Sequence, residues 1–263
     1  MFPVFTICFH HSKEVFVCCL IVSLRCVFWV GLSIRGGGND SPRPASQRAA
    51  ALVLTAAMLT TLTAPAFAET WDIEKGDITV KAGKTEGTNM VSQGEQKDVE
   101  DTGTVITGKS DKNTVTIKAE NENDKVEVKL EDVNIKTTGG KAAVSVTGKG
   151  DTNIELNGDN ELSGSGAHAA LEHNQTVDGE GNGELTIQDK DKNGSLEAVG
   201  GFKGAGIGSA GSNDAQVKIT GGNITATSDD WGAGIGSGSD GTAYVEITGG
   251  EINATGGYLG AGI

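Results

Sequence analysis

Three groups of residues have types and spacings that could do chemistry. Gly206-Ile207-Gly208-Ser209-Ala210-Gly211 spells G-x-G-x-x-G, the pattern in which glycine amides approach a pyrophosphate at a helix N-terminus. Asp229-Asp230 is a carboxylate pair of the kind glycoside hydrolysis uses, and Asp214 and Asp240 lie in similar Ser/Asn/Gly turns. Phe202, Trp231 and Tyr258 each stand one or two residues before a Gly-Ala-Gly, and presented rings dominate binding energetics.

The nucleotide reading needs a strand before the glycines, a helix after them and an acid about 20 residues on. Here "SAGSNDAQVKIT" follows Gly208, which reads as a turn and then a strand. Gly-Ala-Gly-Ile also recurs at a fixed interval, which a cofactor loop does not explain. No nucleotide partner is expected. A hydrolase or lyase reading fares little better. Residues 69–263 contain no Arg, and their two histidines, His168 and His173, are remote in sequence from Asp229-Asp230. The pair reads as a solvated acidic corner, and no catalytic residue is expected. The spacing of His168 and His173 gives no zinc pattern. Carboxylates at turns are, however, the oxygen ligands Ca²⁺ takes. Asp214, Asp229, Asp230 and Asp240 are therefore its candidate ligands, although neither EF-hand nor nonapeptide spacing is present.

What positions these residues is a repeat. "VKITGGNITATSDDWGAGIGSG" (217–238) is followed by "VEITGGEINATGGYLGAGI" (245–263), with Val217/Val245, Gly221/Gly249 and Gly232/Gly260 all 28 apart. "GSLEAVGGFKGAGIG" keeps the interval upstream, while "LTIQ" comes four residues early, placing an insertion at "DKDKNG". Each unit holds three apolar i, i+2 pairs: Val217/Ile219, Ile224/Ala226 and Ala233/Ile235 in the middle copy. That period puts both side chains on one face of a strand. Three short strands and three turns per unit predict an all-β fold, a right-handed parallel β-helix with about 28 residues per coil. "VEVKLEDVNIKTTGGKAAVSV" (126–146) and "IELNGDNELSGSGAHAALE" (154–172) read as degenerate coils, the second with Gly166–Ala170 in the Gly-Ala-Gly-Ile-Gly place. Residues 69–110 read as a strand-poor, irregular lead-in or cap, and residues 111–263 as the repeats. The last copy stops at Ile263 where earlier copies continue with Gly-Ser, so a fragment of a longer protein is expected.

The N-terminal part is of another kind. Arg43 and Arg48 precede "AAALVLTAAMLTTLTAPAFA", which ends in Ala66-Phe67-Ala68. A basic flank, a short apolar core and a small-x-small ending make residues 41–68 a signal peptide cleaved after Ala68. Residues 1–40 carry all four cysteines and an apolar run interrupted by Arg25, and read as a non-native extension. The segment after Ala68 has sixteen lysines against 33 carboxylates, a formal charge of −17. Such a chain repels nucleic acid and anionic lipid. It has no span of its own, so a secreted or cell-surface location is expected.

On its "ITGGNITATSDDWGAGIG" and "LEHNQTVDGEGNGELTIQDKDKNGSL" segments, the chain resembles bacterial surface proteins labelled "carbohydrate-binding domain-containing", frequent in gut Firmicutes. The resemblance runs from about Thr70 to the end. It implies binding of polysaccharide or of host or neighbour-cell glycans, for which the position of Phe202, Trp231 and Tyr258 before the glycines makes them the candidate stacking rings. It also implies Ca²⁺ dependence, because a polyacidic chain needs bridging cations to hold a polyuronate. The alternative is a structural stalk or adhesin that binds no glycan.

Overall fold

The computed structural model of the chain describes residues 68–175 and 183–263. The expected 1–40 extension, the signal peptide up to Phe67 and its cleavage residue Ala66 lie outside the described residues. The chain opens with β1 (Thr70–Asp72), one 3-10 turn (Ile73–Lys75) and β2 (Ile78–Ala82). A hairpin follows, β3 (Asn89–Gln93) and β4 (Gln96–Asp101). Then come β5 (Thr104–Ser110), β6 (Val115–Ala119), β7 (Lys125–Lys136), β8 (Val144–Gly148) and β9 (Asp151–Ser163). The remaining strands are β10 (Leu171–His173), β11 (Leu185–Gln188), β12 (Gly194–Val199), β13 (Ile207–Gly208), β14 (Ala215–Ile219) and β15 (Asn223–Thr227). Last are β16 (Ile235–Gly236), β17 (Ala243–Ile247) and β18 (Glu251–Thr255).

The protein is all-β, and the chain passes repeatedly from one to the other of two sheets. One sheet runs β1-β5-β7-β9-β11-β14-β17, with β12, β15 and β18 extending from β9. The other runs β16-β13-β10-β8-β6-β2 and ends in the hairpin β3-β4. Every pairing between named strands is parallel except those of the hairpin. Parallel sheets bury alternate residues of each strand, and here those residues line up rung on rung. Ile78, Val115, Val144, Leu171, Ile207 and Ile235 form one column of direct partners. Val128, Ile154, Ile187, Ile219 and Ile247 form another. Both columns belong to a single apolar core, except that Ile247, at the end of the second, is exposed.

The long strands turn a corner without leaving their sheet, and the turning residue recurs. Gly108, Asp132, Gly158, Gly222 and Gly250 have positive φ there, and Lys192 has one in the Asp189–Asn193 loop just before its corner. Glycine adopts such a φ freely; Asp132 and Lys192 need support. The Asp132 carboxylate accepts the Asp159 N–H at 3.0 Å, and the amide of the next residue, Val133, donates to Asn160 Oδ1 at 3.1 Å. Beside Lys192, Asp189 accepts the N–H groups of Asn193 and Gly194, both at 3.1 Å.

The 28-residue interval holds at the C-terminal rungs: Ser195 pairs with Asn223, Ile207 with Ile235, Val217 with Val245 and Asn223 with Glu251. Upstream the interval varies. Thr104 pairs with Val128, 24 on, and Ile78 with Val115, 37 on. Leu185 pairs with Val217, 32 on, which places the extra residues in the Asp189–Asn193 loop as expected. Two expectations are corrected. Residues 69–110 are strand-rich, holding β1 to β5. Their polarity belongs to the outer strand β4, whose Lys97, Asp98 and Glu100 face water; charged residues on an edge strand discourage further pairing. Within that segment, buried Asp101 accepts the Trp71 indole N–H at 2.8 Å and the Glu69 and Gly103 amides at 3.1 and 3.0 Å. Second, Leu171 pairs with Ile207, so His168 rather than Gly166 occupies the Gly204 place.

One column contains a misfit. Thr152 is in line with Val126, Leu185, Val217 and Val245, and its buried hydroxyl has no hydrogen-bond partner. A buried unsatisfied polar group costs about 1–3 kcal/mol. Thr152→Val is therefore expected to raise stability by about 1–2 kcal/mol in urea unfolding; an unchanged or lower midpoint would contradict that reading of the column.

Candidate functional site

The glycines around residue 206 serve the stacking of rungs. The Gly206 N–H donates to Ala233 O at 3.1 Å, Ile207 N–H to Gly234 O at 3.0 Å and Ser209 N–H to Gly236 O at 3.0 Å. The Ala210 N–H donates to Asn174 Oδ1 at 2.7 Å and the Gly211 N–H to Ala167 O at 3.0 Å, so these amides are engaged within the protein rather than held open for a phosphate. A Cβ on Gly208, where φ is +134°, would sit 1.8 Å from Gly236 O, and one on Gly204 would sit 2.1 Å from His168 O. Close approach of successive backbones is what requires glycine here.

The turns before these glycines stack into an edge that carries the three expected rings. Phe202 is 45% exposed, Trp231 40% and Tyr258 86%. The Phe202 and Trp231 rings are 6.1 Å apart between centroids and tilted by 40°, a spacing at which ring pairs attract. Trp231 is held from three sides. Its indole N–H donates to Asp230 Oδ2 at 3.0 Å, Lys203 Nζ is 5.6 Å from its ring centroid, and Phe202 lies alongside. Tyr258 does not continue the pair. The Trp231 N–H donates to Phe202 O and the Leu259 N–H to Asp230 O. With Gly204, Gly232 and Gly260 at 28-residue intervals, Trp231 shares a row with Lys203 and Leu259. Tyr258 shares one with Phe202 and Asp230. The one-residue difference in ring position therefore leaves Tyr258 with no ring contact.

The four turn aspartates are not brought together. Asp214 accepts the Thr242 hydroxyl at 2.6 Å and the Thr242 N–H at 2.8 Å, bonds that hold its carboxyl below the usual carboxylate range. Asp230 is engaged by Trp231, and Asp240 accepts the Ser239 hydroxyl at 3.0 Å. Asp229 is exposed. Among the described residues no group of three or more His, Cys, Asp or Glu is placed to hold a metal ion.

The structure adds a buried polar chain that apolar spacing did not reveal. Glu172 is buried and lies 2.8 Å from His168 Nδ1. It also accepts the Ala169 N–H at 3.2 Å and the Asn174 side-chain amide at 2.9 Å, while Asn174 Oδ1 accepts the Ala210 N–H at 2.7 Å. The chain thus ties a turn to the loop one rung on. The adjacent His173 continues the buried column of Val80, Ile117 and Val146. Its Nδ1–H donates to Gln216 O at 3.2 Å. Burial pushes its pKa below 6.5, against a smaller opposite pull from that bond.

Parallel strands shared between two sheets over one core, with rungs in register, define a parallel β-helix repeat protein. The sequence model of a family described as "Beta helix repeat" matches residues 217–239 and 245–263, the rungs that carry Trp231 and Tyr258. Comparison with curated proteins and with solved structures finds no match. Among the described residues, no helix is long and apolar enough to cross a membrane.

His173 gives this region a pH dependence of definite sign. Below pH 6.5 the unfolded chain takes up a proton that the buried ring refuses, so stability falls as the pH drops through that value. His173→Gln is expected to lose less stability than the parent between about pH 7.5 and 5.5 in urea unfolding. An equal loss in both proteins would remove His173 as a cause.

Proposed function

We propose that the repeats expected over residues 111–263 form a right-handed parallel β-helix solenoid with a coil of about 28 residues. In this reading it is an exported, cell-surface or secreted carbohydrate-binding protein without catalytic activity. The observation that carries it is the Phe202–Trp231 pair. Two large rings stand half exposed on an edge, and an acceptor and a cation fix the orientation of one of them. A rigid exposed ring face binds the apolar C–H face of a sugar with little loss of side-chain freedom. The acidic groups beside it, Asp229 and Asp230, are acceptors for sugar hydroxyls. The likeness to carbohydrate-binding surface proteins and the expected signal peptide support the export and ligand class. The alternative, a stalk or adhesin repeat, is supported by the regular C-terminal rungs.

A glycan array probed with and without Ca²⁺ separates the two readings. Binding to at least one polysaccharide is expected, and Trp231→Ala should weaken it by about tenfold or more while leaving thermal unfolding nearly unchanged. Absence of binding in both conditions would favour the stalk. Full affinity in Trp231→Ala would remove the rings from the account.

A further inference from the structure

We propose that the outer face of β5, β7, β9 and β11 is a second ligand site, for a short neutral saccharide, separate from the aromatic edge. It shares the carbohydrate class of the reading above and rests on it to that extent. Two departures from the repeat wall the same stretch of sheet. The return from the hairpin brings Gly103 to one side, and the Asp189–Asn193 insertion brings Lys190 to the other. Between them is a cavity of about 410 Å³, within the size range of small-ligand sites.

The floor of the cavity comes from outward residues in register. Lys129, Glu155 and Gln188 form one row, and Glu127 and Asn153 the next. Rungs are about 4.8 Å apart, so acceptors and donors alternate over the dimensions of a sugar ring. Hydroxyl groups both donate and accept, and this floor offers both. Glu127 and Glu155 accept; Lys129, Asn153 and Gln188 donate. Charges of opposite sign nearly balance along it, which suits an uncharged ligand; a polyanion would also meet the charge of −17 of the surrounding chain.

Glu155 marks the position of one ligand hydroxyl. Its Oε1 accepts the Lys190 backbone N–H at 2.6 Å. Its Oε2 is buried without a hydrogen-bond donor, and the nearest cation, Lys190 Nζ, is 3.8 Å away on a side chain that is 66% exposed. A carboxylate oxygen removed from water and left without a donor is destabilising. A ligand hydroxyl taking the place of the Lys190 ammonium beside Oε2 would satisfy it.

The test is titration of the protein with maltotriose, cellotriose and mannotriose, with trigalacturonate as the charged control, followed by NMR of the side-chain amides. At least one neutral trisaccharide should shift the Asn153 and Gln188 signals more than trigalacturonate does. Glu155→Gln should weaken that binding by about tenfold, the loss of one charge-assisted hydrogen bond. Lys129→Ala, at an outward position, should weaken it severalfold and serves if Glu155→Gln fails to fold. Trp231→Ala should leave the Asn153 and Gln188 shifts in place. The site is overturned if no neutral trisaccharide moves these signals, or if the shifts persist with full affinity in both groove variants. Glycan binding lost in Trp231→Ala, with Asn153 and Gln188 unmoved, would refute the groove and leave the aromatic edge standing.

Discussion

Backbone hydrogen bonding between successive rungs is the interaction on which everything else in this protein depends. A parallel rung about 4.8 Å from its neighbour fixes the position of every side chain above and below it. Once Val217 is opposite Val245 and Ile207 opposite Ile235, like must stack on like, and the core becomes a set of aliphatic columns. Turns must stack as well, and they do so within a distance that excludes a Cβ at Gly204, Gly208 and Gly260. The composition follows from this geometry: glycine where backbones touch, β-branched residues inside, and charge outside. No single rung buries enough surface to fold alone.

Individuality enters where the columns or intervals are interrupted. The hairpin β3-β4 extends one sheet past β2 and ties the first rung down through Asn89 and Gln93, whose side-chain amides donate to Glu127 O and Asp72 O. Asn160 takes an aliphatic position in line with Leu196 and Ile224 and meets the amide that the Asp132 corner leaves unpaired. His173 ends an aliphatic column with an ionisable ring, and the Asp189–Asn193 loop breaks an otherwise flat face. The ring pair is a departure of the same kind. Phe202 and Trp231, on successive turns and one row apart, meet ring to ring, whereas Tyr258 on the next turn does not. Repetition supplies the frame, and each candidate for binding or pH response sits at a break in it.

Much of the frame was legible because hydrophobic alternation and glycine spacing are direct consequences of rung stacking. The C-terminal register, the position of the insertion and the all-β class could all be read from i, i+2 pairs and a 28-residue interval. Legibility faded where loop lengths changed. Between β10 and β13 the interval is 36, Leu171 to Ile207, so matching Gly166 to Gly204 by composition misplaced that rung by two residues. The strands of 69–110 were hidden because an edge hairpin needs few apolar residues. The aromatic edge was found by type but not by row, since a one-residue offset decides which rings meet. Burial of Glu172 left no periodic signal, because it depends on Asn174 and Ala169 as partners rather than on spacing.

The central claim is that register between rungs, at the interval of the repeat, holds the C-terminal half together. It is tested most directly by excising one interval. Deleting Val217–Tyr244 removes 28 residues and brings Val245 to the position of its own partner. The shortened protein should keep the parent's β-sheet circular dichroism and a single cooperative thermal transition. Deleting only Val217–Asp240, about four residues short of the interval, should broaden or abolish that transition. Loss of cooperative folding in the first variant, or equal tolerance of both deletions, would contradict the account.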